Sequence, residues 1–157
     1  MYKKLCFLIA SFFGVGYAPK ASGTFGSLAA LPLCWYLLRY HSLDALYIAI
    51  ALVFIIGWIA TRKVLKYTKP DPSLVVIDEV AGQLTSFTLP LYYGLANAQW
   101  LCLLGGFILF RFFDIVKIWP ASYFDKKVHN AFGVMADDIV AGIYAAATLT
   151  LFLHVLG

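Results

Sequence analysis

Asp78 and Glu79, then Asp114, then the adjacent pair Asp137 and Asp138 fall inside or at the lip of segments that otherwise read as membrane-spanning helices. They are five of the chain's eight acidic residues. A carboxylate at the centre of a bilayer helix costs about 2.5–3.5 kcal/mol on insertion scales, and less near the interface. Five of them would cost on the order of 10 kcal/mol or more. The fold must therefore turn them inward and give them compensating charge. Three acidic clusters on three helices point to a hard divalent cation, which takes oxygen ligands.

The surrounding composition sets the class. Of 157 residues, 62% are hydrophobic and 13% are charged. An ordinary soluble domain has about 45–50% apolar and about 25% charged residues. The excess needs lipid to face, so the chain reads as a polytopic membrane protein, a helical bundle forming one domain over residues 1–157. Residues 5–17 are apolar but short, as in a re-entrant or interfacial helix. Segments 24–40 (interrupted by Pro32), 43–61, 74–94, 98–117 and 134–156 supply four or five spans. Cys6, Cys34 and Cys102 stand alone in apolar stretches, which fits neither a zinc site nor a disulfide framework. Lys3 and Lys4 before a short apolar run imitate a signal peptide, but no convincing cleavage site follows.

A net charge of +4 would suit a nucleic-acid binder if the basic residues formed a patch. Instead they lie in loops between apolar segments, which marks topology. Placing Lys3, Lys4, Lys20, the 62–69 cluster, Lys117, Lys126 and Lys127 in the cytoplasm leaves only Arg39 outside, a bias of ten to one. Arg111 lies within a span. With that orientation Asp78 and Glu79 open a helix running outward, Asp114 ends a helix running inward, and Asp137 and Asp138 open another running outward. All three clusters then arrive at one depth, about one or two turns below the cytoplasmic surface.

Helical spacing predicts which faces turn inward. From Asp78 the i+3, i+4 and i+7 positions are Ala81, Gly82 and Thr85; from Glu79 they are Gly82, Gln83 and Ser86; from Asp138 they are Ala141, Gly142 and Ala145. Small residues there permit close helix packing in a membrane. Carboxylates crowded together need positive charge between them. Arg111 and Lys117, at i−3 and i+3 from Asp114, supply some, and a bound Mg²⁺ would supply more. Two bases against five acids leave simple ion pairing unbalanced.

Gly23-Thr24-Phe25-Gly26-Ser27 opens an apolar helix on the same face. Glycines, hydroxyls and a helix N-terminus make an anion-binding device, with Lys20 nearby. A helix start built from small packing residues accounts for the motif equally well when it is taken alone. His129, between spans and near Lys126 and Lys127, is a conceivable general acid, though a solvated loop histidine is the simpler reading. Asp71 and Asp125 read as solvated loop residues, and Asp44 as lying on the opposite side.

Four ordered blocks also resemble the phosphatidylglycerophosphatase A family. Gly23–Ser27 resembles its GTxGS signature, and Asp78-Glu79-Val80-Ala81-Gly82 its DExxG block. Phe110-Arg111 with Asp114 and Lys117 resembles FRxxDxxK, and Gly133 to Gly142 resembles GxMxDDxxAG. Ser22, Ile118 and Asn130-Ala131 depart from the family pattern in loops beside the site, and remove none of the candidate groups. The resemblance implies an all-helical, Mg²⁺-dependent phosphatase of the bacterial inner membrane, its site facing the cytoplasm. It would convert phosphatidylglycerophosphate to phosphatidylglycerol, with membrane lipids around it and no nucleic-acid partner.

The expected metal ligands come from Asp78, Glu79, Asp114, Asp137 and Asp138. Asp78, Glu79, Asp114, Asp138 and Lys117 are the expected catalytic groups. Phosphate is expected on Lys20, Gly23, Thr24, Gly26, Ser27, Arg111 and Lys117. The nucleophile is either water activated by the cation or one of the aspartates. Histidine-based and cysteine-based phosphatase chemistries lack their motifs. CDP-alcohol phosphotransferases space their acids four apart, unlike the adjacent pairs here. A small ion or proton transporter using intramembrane carboxylates is the alternative from another class, but the outer halves of the spans offer it no polar route.

Overall fold

The computed structural model describes residues 2–68, 72–96 and 99–156, with the side chain of Gln99 excepted. Lys69 of the basic cluster, Asp71 and the turn residue Asn97 lie outside the described residues. The described chain is all-helical: α1 (Tyr2–Ala10), a 3₁₀ turn (Val15–Tyr17), α2 (Ser22–Tyr40), α3 (Leu43–Val64), α4 (Ile77–Thr85), α5 (Thr88–Tyr92), α6 (Gln99–Val116), α7 (Ala121–Lys127) and α8 (Ala131–Leu156).

Two helices are long and apolar enough to cross a membrane, α3 with 22 residues and α8 with 26. At 1.5 Å per residue they reach about 33 and 39 Å. Their outer faces carry exposed Ile48, Leu52, Ile55 and Ile59 on α3, and Ile143, Leu151, Phe152 and Val155 on α8. α6 adds exposed Leu104, Ile108, Phe112 and Ile115. Soluble monomers rarely expose contiguous apolar surface on this scale, and a lipid surround fits it.

The segment expected as one span over 74–94 is instead two short helices. α4 is nine residues long and buried from Ile77 to Thr85 except at Glu79. A helix buried all round belongs to a core rather than to a lipid-facing layer. It ends where Pro90 has no N–H to return to Ser86. Around the break, Thr85, Ser86 and Thr88 donate their hydroxyls to the carbonyls of Ala81, Gly82 and Thr85. α4 packs against α2, α3 and α8, with α8 also covered by α6 and α7.

The N-terminal segment is tied to this centre. α1 lies on α3, and the Val76 N–H donates to the Ala10 carbonyl at 2.9 Å. Gly16 sits directly under the Leu74 carbonyl, where any Cβ would collide. Asn130 starts α8: its Oδ1 accepts the N–H of Phe132 at 2.9 Å and of Gly133 at 3.1 Å. Asn130→Ala is therefore expected to cost about 1 kcal/mol, read as a lower thermal midpoint of the solubilised protein. Asn130→Ser should restore it.

Candidate active site

The site is built by the crossing of α4 and α8. A Cβ on Gly142 would overlap the Gly82 carbonyl, and one on Gly82 would lie 2.6 Å from the Asp138 carbonyl and against the Phe110 ring. The two backbones therefore touch at a glycine pair, as close helix approach requires. One turn back from each glycine stand Asp78 and Asp138, with Glu79 alongside. One carboxylate oxygen from each of these three acids lies within 4.8 Å of the other two. The i+4 glycines that spacing singled out are the contact itself.

Burial makes this grouping expensive. Asp78 is 8% exposed and Asp138 is 4%. Asp138 Oδ2 and Glu79 Oε2 are buried with no hydrogen-bond partner. The first aspartate of each adjacent pair also serves its neighbour's backbone. Asp78 Oδ1 accepts the Glu79 N–H, and Asp137 Oδ1 accepts the Asp138 N–H, both at 3.1 Å. Buried polar atoms are almost always partnered, and buried charges are paired or coordinate metals. Three converging acids with orphaned oxygens fit a divalent cation with oxygen ligands.

The other two acids hold the bases. Asp114 Oδ2 lies 2.6 Å from Arg111 Nη1, one turn back on α6. Arg111 Nε and Nη1 are buried without a hydrogen bond, so that pairing is coulombic rather than well aligned. Lys117 follows the end of α6 in a left-handed conformation, φ 48°. Its ammonium is clasped between Asp137 and Asp125, 3.0 Å from the latter. Lys117 thus bridges α6, α7 and α8.

α2 brings its first turn to the same place. Gly23 abuts the Glu79 carboxylate, and a Cβ there would come within 3.0 Å of Arg111 Nη1. The first paired N–H of α2 is that of Phe25, which reaches Ala21 at 3.2 Å. Helix geometry leaves the preceding N–H groups without intrahelical partners. Ser22 anchors this turn by donating its hydroxyl to the Ser73 carbonyl at 2.6 Å. The rest of the glycine motif has other contacts. A Cβ on Gly26 would lie 2.8 Å from Val76 Cβ, and buried Ser27 donates to the Gly23 carbonyl at 2.9 Å. Thr24 is half-buried, and Lys20 is exposed and away from the cavity wall.

These groups enclose a cavity of about 220 Å³ whose walls carry Asp78, Glu79, Asp114, Lys117, Asp137 and Asp138. Ser22, Ser73, Asp125 and His129 complete its polar lining. Asp125 is accordingly not a free loop residue. It lies on α7, a helix within the stretch expected to be loop, and pairs with Lys117. His129 is exposed but stands at the cavity. The one sequence signal for Asp125 was its spacing of eight from Lys117 across a Trp-Pro turn, too generic to identify a partner.

Comparisons with known proteins cover nearly the whole of this chain. The family model for Phosphatidylglycerophosphatase A matches residues 8–153. A protein of Escherichia coli named Phosphatidylglycerophosphatase A is 36% identical over 149 residues, covering 94% of this chain and 83% of its own. One of the same name from Haemophilus influenzae is 37% identical over 139 residues, covering 88% and 82%. A Bacteroides thetaiotaomicron protein, provisionally named a phosphatidylinositol-3-phosphatase, is 35% identical over 159 residues, covering 96% and 94%. No solved structure matches. With three charged blocks gathered around one cavity and a match running almost end to end, this chain belongs to the phosphatidylglycerophosphatase A family of phosphatases.

Proposed function

We propose that this chain hydrolyses the terminal phosphate monoester of phosphatidylglycerophosphate, giving phosphatidylglycerol and inorganic phosphate, with Mg²⁺ as its cation. The observation that carries the reading is the convergence of Asp78, Glu79 and Asp138 with two orphaned carboxylate oxygens. These three acids would hold the ion, while Asp114 and Asp137 orient Arg111 and Lys117 beside it. Bound Mg²⁺ neutralises phosphate charge and makes a water molecule more acidic.

The protein's own groups do the rest. Lys117 on the cavity wall, with Arg111 beside Asp114 behind it, supplies the positive charge that phosphate needs, the dominant requirement in phosphoryl transfer. Gly23 lets the free N–H groups of the first turn of α2 reach the same anion. A carboxylate of the cluster takes the proton of the attacking water as the new O–P bond forms. The bond from phosphorus to the glycerol oxygen breaks, and that oxygen needs a proton. His129, at the cavity mouth, is placed to deliver it.

The proposal extends to the setting. Residues 1–157 act as one domain in the bacterial inner membrane, crossing it four or five times, with the cavity at the cytoplasmic lip. The ten-to-one basic bias and the exposed apolar faces of α3, α6 and α8 support this. Substrate enters laterally, its acyl chains remaining in lipid. A transport role has less support, because a route beyond the carboxylates meets the tight α4–α8 crossing and buried Leu84, Phe87 and Leu149.

The test is phosphate release by the purified protein in detergent. Release from phosphatidylglycerophosphate should require Mg²⁺ and stop in chelator. It should exceed release from soluble glycerol 3-phosphate and from phosphatidylinositol 3-phosphate. Undiminished release in chelator would remove the cation from the account, and equal rates on the soluble ester would remove the lipid.

A further inference from the structure

Near the cavity, a second set of charged groups pairs with no acid among the described residues. Lys3 and Lys4 on α1 and Arg62, Lys63 and Lys66 at the end of α3 form no ion pair among the described residues. Tyrosines organise them instead. Lys3 Nζ stands 3.9 Å from the centre of the Tyr67 ring. Lys63 Nζ lies between Tyr2 and Tyr67, 5.7 and 5.8 Å from their centres. An orientation signal requires basic residues in a loop, but it requires neither this convergence of two helices nor this stacking.

The cluster borders a cavity of about 230 Å³ lined by Tyr2, Trp58, Ile59, Arg62, Lys63 and Lys66. Below the cations, the same face of α3 is an exposed apolar strip of Ile59, Trp58, Ile55 and Leu52. Charge at the rim, an aromatic belt beneath it and aliphatic surface below that is the profile of one phospholipid with an anionic head group. Leu65, which follows the end of α3, lines the catalytic cavity, so the two sites are neighbours without sharing a polar residue.

We infer that the groove between the start of α1 and the end of α3 binds an anionic phospholipid. Arg62, Lys63 and Lys66 take its phosphodiester, and Trp58 and Ile59 take the first part of an acyl chain. The site is non-catalytic: it holds a lipid of the charge class to which the proposed product belongs, next to the cavity where that product forms. This rests on the membrane setting proposed above, but not on the phosphatase chemistry.

Native mass spectrometry of the detergent-solubilised chain tests it, with dipalmitoyl phosphatidylglycerol and dipalmitoyl phosphatidylcholine added at equal concentration. The wild-type chain should retain phosphatidylglycerol preferentially, and Asp138→Asn should retain it equally. The triple variant Arg62→Gln, Lys63→Gln, Lys66→Gln should weaken retention by about a hundredfold. Lys126→Gln with Lys127→Gln, also basic and exposed on the loop side, should leave it unchanged. The five basic side chains changed are at least partly exposed, and an unaltered thermal midpoint of these variants without added lipid verifies the fold. If the triple variant misfolds, Lys63→Gln and Lys66→Gln taken singly should each weaken retention about fivefold. Equal retention of the two lipids by wild type, or undiminished retention in the folded variants, would overturn the inference. Failure of phosphate release with retention intact would instead count only against the proposed chemistry.

Discussion

Asp138→Asn is expected to lower phosphate release by about a thousandfold, the scale on which losing one preorganised charged group acts in a closed site. The same change should stabilise the protein in chelator. Asp138 is buried beside Asp78 and Glu79, with one oxygen unpartnered, so without a cation its charge is a liability. Removing that charge relieves repulsion, and the thermal midpoint in chelator should rise. Added Mg²⁺ should then reverse the ranking. A ligand at a hundred times its dissociation constant stabilises by about 2.7 kcal/mol, a gain the wild type should show and the variant should lose. Activity falling together with stability in chelator would make Asp138 a structural residue instead.

Gly82→Val is expected to destabilise the fold by about 3 kcal/mol or more, the range for overpacking against groups that cannot yield. The new side chain meets the Asp138 carbonyl and the Phe110 ring, so α4 and α8 must separate. Separation also opens the carboxylate cluster, and activity should be lost in whatever folded fraction survives. Gly105 provides the contrast. A Cβ there would meet only the end of the Leu149 side chain, and Gly105→Ala should be tolerated. The pair of midpoints, measured in one detergent, separates a backbone contact from general intolerance of bulk.

Much of this site was legible in the sequence because it follows from helix period and topology alone. The i+4 relation of Asp78 to Gly82 and of Asp138 to Gly142 puts each acid one turn from a small residue, and that is how the two helices meet. The alternating direction of successive apolar segments brought Asp114 to the same level. The remainder was hidden because it depends on tertiary contacts. Nothing local says that Asp125 will reach Lys117, since that pairing needs α7 to fold under α8. Hydropathy over 74–94 describes apolar composition, which a fully buried helix and a lipid-facing span share. Only the hydroxyls at Thr85, Ser86 and Thr88, bonded into the backbone ahead of Pro90, mark the break. Ser27 likewise looked available to phosphate, but its hydroxyl is bonded within its own helix.

The most direct measurement is the position of the cation itself. Crystals grown with Mn²⁺ in place of Mg²⁺ give an anomalous signal that locates the ion without reference to activity. The account predicts one strong peak within coordination distance of Asp78, Glu79 and Asp138, absent in the Asp78→Asn protein. A peak elsewhere on the chain, or one that survives that substitution unchanged, would contradict it.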